Sequence, residues 1–166
     1  MTVLPYFAIA VPLLLAASAS DVALRMVPNR ICLALGLDGL AIQVFAHNIP
    51  ASLLAMFAVF IPAAICWRHG IMGGGDVKLL AAATFLVRPD AVPTLVLAVA
   101  LAGGLLGIVY WMMMQLLGPA ATTGARRGLQ RVLGVERYRI RRGFSLPYAV
   151  AICAGTLCVL GTSRVP

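Results

Sequence analysis

Two aspartates stand out in a chain of 166 residues that holds only five acidic side chains. Asp21 closes the first apolar stretch, in Ala19-Ser20-Asp21-Val22, and Asp76 ends a glycine run, Gly73-Gly74-Gly75-Asp76, ahead of an apolar stretch that begins at Val77. A carboxyl group at a bilayer boundary is costly to keep there, so it points to function first. Two brought to one site would share a proton, because like charges at close range do not both ionise easily. One then serves as acid and the other as base, the chemistry of an aspartyl hydrolase, with no metal and no nucleophilic serine.

The neighbouring residues each carry two readings. Gly73 and Gly75 allow backbone conformations closed to other residues and let a second chain approach, so an extended peptide could lie beside Asp76. The same run also reads as a flexible turn before a helix that Asp76 caps. Asp21 reads alternatively as a helix-end residue paired with Arg25 at i+4. Lys78, the only lysine, either snorkels to the interface or holds one carboxylate ionised. Asp38, in the middle of the second apolar stretch, is either a neutral group bonded to Gln43 or another helix, or a third acid near the site. His69 reads as a solvated loop residue and Met112-Met113-Met114 as packing or lipid-facing side chains. Cys32, Cys66, Cys153 and Cys158 form no CxxC pair, so they read as small buried hydrophobes rather than zinc or redox ligands.

The elements that must position these groups are apolar. The chain is 62% hydrophobic and 11% charged, with a mean hydropathy of +1.00, where a soluble domain carries roughly 25% charged residues. This composition predicts an all-α, polytopic membrane protein, one integral domain over residues 1–166. Six apolar segments run over 3–20, 30–46, 51–67, 77–87, 91–117 and 146–161. A spanning helix takes about 20 residues, and the fourth segment falls well short. As a helix it covers only about 16 Å of a roughly 30 Å hydrocarbon core. Irregular backbone at that depth survives only inside protein or against water, so a wet pocket around Asp76 is expected. The first segment ends in Ala17-Ser18-Ala19, like a signal-peptide cleavage site. Residues 1–20 contain no Lys or Arg, however, and the segment is read as a retained helix.

Charge orients the segments. With the N-terminus outside, the inner loops hold Arg25, Arg30, Arg68, Lys78 and the seven arginines from Arg126 to Arg142, eleven cations against Arg88 and Arg164 outside. Positive charge favours the inner side, so both termini are expected in the periplasm and Asp21 and Asp76 at the cytoplasmic face. The basic loop suits anionic lipid better than nucleic acid. Residues 118–144 read either as a surface helix with Leu129, Val132, Leu133 and Val135 on its apolar side or as an irregular basic loop. Pro28-Asn29 separates the first two helices, with Asn29 able to cap the second. Asn48-Ile49-Pro50 and Arg88-Pro89-Asp90 form outer turns.

Asp21 with Arg25 and Pro28-Asn29, then Gly73-Gly74-Gly75-Asp76-Val77-Lys78, then Leu146-Pro147-Tyr148-Ala149-Val150-Ala151-Ile152, together resemble the prepilin peptidase family, GxGD-type aspartyl proteases of the bacterial inner membrane. The small size most resembles the short branch serving tight-adherence (Flp-type) pili. The resemblance implies catalytic Asp21 and Asp76, with Gly73 and Gly75 as the fixed glycines of GxGD. Arg25, Pro28, Asn29, Lys78 and Tyr148 would support the site or the substrate, Tyr148 alternatively lying in the interfacial aromatic belt. It also implies removal of the leader of a prepilin or pilin-like protein, after a glycine, without a cofactor. The chain departs from longer members: Asp21 and Asn29 stand eight residues apart, with no intervening CxxC segment, and no motif marks the S-adenosylmethionine-dependent methylation that many of them perform. Competing readings are a peptidase of another substrate, a small transporter using Asp21, Asp38 and Asp76 as an ion path, and a non-catalytic secretion subunit. A transporter would spread its carboxylates through the membrane, whereas Asp21 and Asp76 fall at one face. The sequence fixes no oligomeric state.

Overall fold

The computed structural model of the chain describes residues 4–116 and 147–162. The described residues are helical and contain no strand, as the composition predicts. Helices α1 (Leu4–Leu24), α2 (Asn29–Phe45), α3 (Ile49–Arg68) and α4 (Gly74–Thr84) follow one another through short connections. A 3₁₀ turn (Pro89–Ala91) leads into α5 (Val92–Leu116), and α6 (Tyr148–Thr162) ends the described chain. Short connections make successive helices antiparallel neighbours. The C-terminal end of α1 therefore lies at the same end of the bundle as the N-terminal ends of α2 and α4.

Short α4 is the centre of the packing. α2, α3 and α6 lie against it, while α1 packs on α2 and α6. Val77, Leu79, Leu80, Ala82, Ala83 and Thr84 are all buried. A helix enclosed by protein has no need to reach both edges of a bilayer, provided that its end groups find partners inside. Gln43, fully buried on α2, supplies them: its Nε2 donates to the carbonyls of Phe85 at 2.9 Å and Val87 at 2.8 Å, just past the last turn of α4. Gly39 lets α2 come this close, since a Cβ there would stand 2.7 Å from the Cβ of Phe85.

The outer helices show their apolar side chains to the surroundings. α3 and the stretch Pro89–Met113 are long and apolar enough to cross a membrane, and only 11% and 17% of their apolar windows is buried in the protein. Leu54, Phe57, Ile61 and Ile65 on α3 and Leu97, Leu101 and Leu105 on α5 are exposed. Apolar surface this continuous is stable against lipid, not water. α1 over Ala8–Leu24 and α6 are shorter apolar helices.

Several boundaries differ from the sequence reading. α4 starts at Gly74, ahead of the apolar run, because Gly73 adopts an extended conformation (ψ 141°) and takes the capping position. Gly74, Gly75 and Asp76 are thus a first turn lying outside the apolar run that begins at Val77. Asn29 does not cap α2: Pro28 holds that position in extended backbone, and no side-chain cap bond forms. The seven arginines from Arg126 to Arg142, Arg164 and the suggested surface helix lie outside the described residues.

The chain divides into two compact units. One comprises Met1–Gly103 and Pro147–Pro166 and contains both aspartates of interest; the other is Gly104–Leu146, whose described part is the apolar C-terminal half of α5.

Candidate active site

Asp21 sits in the last turn of α1 and is 6% exposed; Asp76 sits in the first turn of α4 and is 9% exposed. The fold therefore buries at one end of the bundle two carboxylates that lie far apart in sequence. They are close enough for the negative charge of Asp21 to act on Asp76.

α6 delivers the third element. Pro147 cannot continue a helix backwards and has no amide of its own, so α6 begins at Tyr148. The first amides of a helix have no partner within it. That of Ala149 donates to Asp21 Oδ2 at 3.2 Å. The positive end of α6 is thereby turned on a carboxylate, the charge it favours. Tyr148 is half-buried, lies within reach of the charge of Asp76, and packs on Gly103, where a Cβ would come 2.9 Å from its ring.

Asp76 is held by its own turn. The backbone amide of Gly73 donates to its carboxylate, the reciprocal bond of a capping box. The capping reading is therefore correct as local structure, and it fixes the carboxylate next to Asp21. A Cβ on Gly73 would stand 2.8 Å from Asp76 Oδ2, so glycine is what makes room for the acid. Burial first, and then the charge of Asp21, push the Asp76 carboxyl up to about 6, against the opposing pull of the Gly73 amide and Arg25.

Arg25 follows Asp21 by four residues, at the end of α1. Its backbone is left-handed (φ 55°), and its amide donates to the Asp21 carbonyl at 2.8 Å. A non-glycine residue held so stores roughly 1–3 kcal/mol and marks an imposed turn. The turn brings Val27 onto Gly75, where a Cβ would meet the Val27 Cβ at 3.2 Å. Gly74 likewise faces Trp67 Nε1, at 3.1 Å from a Cβ. The faces of Gly73, Gly74 and Gly75 are thus filled by Asp76, Trp67 and Val27. In the direction a side chain would take, each glycine is closely packed.

Lys78 carries its ammonium at the surface, and its Nζ donates to Asn29 Oδ1 at 3.0 Å, tying the start of α2 to α4. The cation acting on Asp76 is Arg25. A cavity of about 570 Å³ is lined by Asn29, Leu33, Phe57, Phe60, Lys78 and Ala81 among others, and Asp76 is not in its wall.

Asp38 is half-buried in α2, and its suggested partner Gln43 is committed to the end of α4. His69 is exposed just after α3, and Met112 is exposed on α5. Cys32 and Cys153 are buried, Cys66 is intermediate, and Cys158 is exposed. Among the described residues no group of three His, Cys, Asp or Glu side chains is arranged to hold a metal ion.

Sequence reasoning missed the Ala149 amide, the left-handed Arg25 and the packing of Trp67 and Val27 on the glycines. Only Pro147, one residue ahead of α6, signals that a free helix end would point at the site.

The sequence profile of the type IV leader peptidase family matches residues 8–108. The match takes in Asp21, the glycine run and Asp76, and stops before α6. No curated relative and no solved structure matches the chain significantly.

Proposed function

The chain belongs to the type IV leader peptidase family, aspartic-type peptidases, and from that premise we propose that it removes the leader of Flp-type prepilins or pilin-like proteins after a glycine. Asp21 and Asp76 are the catalytic pair. The observation that carries this reading is the burial of these two carboxylates at one end of the bundle, where the charge of one raises the other.

The environments suggest a division of labour. Asp21 accepts the Ala149 amide, a bond suited to an ionised carboxylate, and acts as general base on the attacking water. Asp76, raised to about 6, keeps its proton and donates it to the scissile carbonyl oxygen as water adds. Asp21 then passes the proton it took from water to the leaving amine as the C–N bond breaks, and Asp76 recovers its own from the collapsing diol. The pair titrates as a unit. Tyr148 stands beside the pair, and Arg25 limits the rise of Asp76. The excess of cations in the loops of that end supports a cytoplasmic orientation, with both termini outside and anionic lipid under the 126–142 loop.

The test is cleavage in a heterologous membrane of a Flp-type prepilin bearing a glycine before its apolar segment. Wild type should release the leader after that glycine, and Asp21→Asn and Asp76→Asn should not. N-terminal mass in the same sample reports methylation. Cleavage by either Asn variant at the wild-type rate would sink the pair.

A further inference from the structure

α2 and α3 both pack on α4 and barely touch each other. Their divergence opens the cavity of about 570 Å³ between them. Its floor is α4 at Ala81, and its walls are Leu33 of α2 with Phe57 and Phe60 of α3. Leu33 and Phe57 are exposed, so the groove opens sideways to the surroundings of the apolar bundle. One end is polar. There Asn29, the first residue of α2, accepts from Lys78, in the second turn of α4. Both belong to the end of the bundle that holds Asp21 and Asp76.

We propose that this groove seats the apolar helix of the substrate, with Asn29 and Lys78 receiving the junction between that helix and its extended leader. The proposal rests on the peptidase reading. A helix that follows an extended segment leaves its first amides without partners. The Asn29 side-chain oxygen accepts from such groups, and the Lys78 ammonium donates to carbonyls of the extended segment. Asn29 Oδ1 accepts from Lys78 and keeps a second lone pair for such an amide. The place of this polar end beside Asp21 and Asp76 suits a substrate that continues to the catalytic pair, which a phospholipid chain does not.

The geometry sets a register. Asp76 and Lys78 are two positions apart on one helix, so their side chains do not share a face. The substrate must pass around the end of α4, a width of about 10–12 Å. At roughly 3.3–3.6 Å per extended residue that takes about three residues. The first three or so residues after the scissile bond therefore remain unwound, and the seated helix begins beyond them.

The experiment compares two synthetic substrates with the same glycine-ending leader, one continued by about 20 apolar residues and one by a polar sequence. The preference of wild type for the apolar substrate, as a ratio of kcat/KM, should fall about tenfold or more in Ala81→Phe, mainly through KM, as expected for a blocked apolar pocket. Leu105→Phe, on the exposed face of α5, should leave the ratio unchanged. In otherwise native protein, a photoreactive residue at position 57 should crosslink to the apolar segment, beginning about three residues past the cut. An unchanged ratio, or adducts at position 57 only with phospholipid or a second copy of the chain, would overturn the groove. Failure of wild type to cut either substrate would overturn the peptidase reading itself.

Discussion

The backbone amide of Ala149 donates to the carboxylate of Asp21 across 128 residues of sequence, at 3.2 Å in a buried site. The N-terminal end of α6 is thus part of the setting of the first aspartate. If Asp21 is the base, Asp21→Asn removes the proton acceptor and leaves a group of the same shape that still accepts the Ala149 bond. Cleavage should fall by at least about 10²-fold, the usual scale of a lost acid or base. The melting temperature in detergent should move little. A variant that unfolds would show the carboxylate to be structural instead.

Gly73→Ala separates site geometry from stability. Its Cβ would stand 2.8 Å from Asp76 Oδ2, and the carboxylate must move to admit it. A shift near 1 Å at a reacting group costs about 10²-fold in rate, so kcat should drop by that order. Gly74→Ala meets only the Trp67 ring edge at 3.1 Å and should keep most activity. Equal kcat values for the two variants would refute this assignment of the glycine roles.

Much of this arrangement was legible because carboxylates are scarce in an apolar chain. Asp21 and Asp76 stand out against hydrocarbon, and the apolar runs locate the helices within a few residues. The contacts that complete the site are hidden for a physical reason: they join residues distant in sequence. Ala149 with Asp21, Asn29 with Lys78 and Gln43 with Phe85 are 128, 49 and 42 residues apart, and no local pattern marks them. The shortness of the fourth helix was visible, but its meaning was not. That the enclosing helices and Gln43 satisfy its far end from within shows only in the fold.

Gln43 tests that account. Gln43→Leu keeps the volume approximately and removes the donor from two carbonyls, those of Phe85 and Val87. An orphaned buried acceptor costs about 1–3 kcal/mol. The variant should lose that order of stability, read as a lower thermal midpoint in detergent, with kcat at permissive temperature nearly unchanged. Gly39→Ala should destabilise by a similar amount, about 1–3 kcal/mol of overpacking, because its Cβ would lie 2.7 Å from that of Phe85. Wild-type stability in Gln43→Leu would mean that the end of α4 is satisfied in another way.

The acid–base assignment fixes the sign of the pH dependence. Asp76 is raised to about 6 by burial and by the charge of Asp21. Below that value the pair retains its shared proton; as pH rises through it, both carboxyls ionise and the acid is lost. In the free enzyme, kcat/KM should therefore fall as pH increases through about 6. Infrared difference spectra should show a protonated carboxyl band that disappears over the same range. Asp21→Asn removes the neighbouring charge, so the midpoint for Asp76 must move down, toward the ordinary carboxylate range. A midpoint that stays in place in Asp21→Asn would show that burial alone raises Asp76, and a cleavage rate that climbs through the same window would exclude it as the acid.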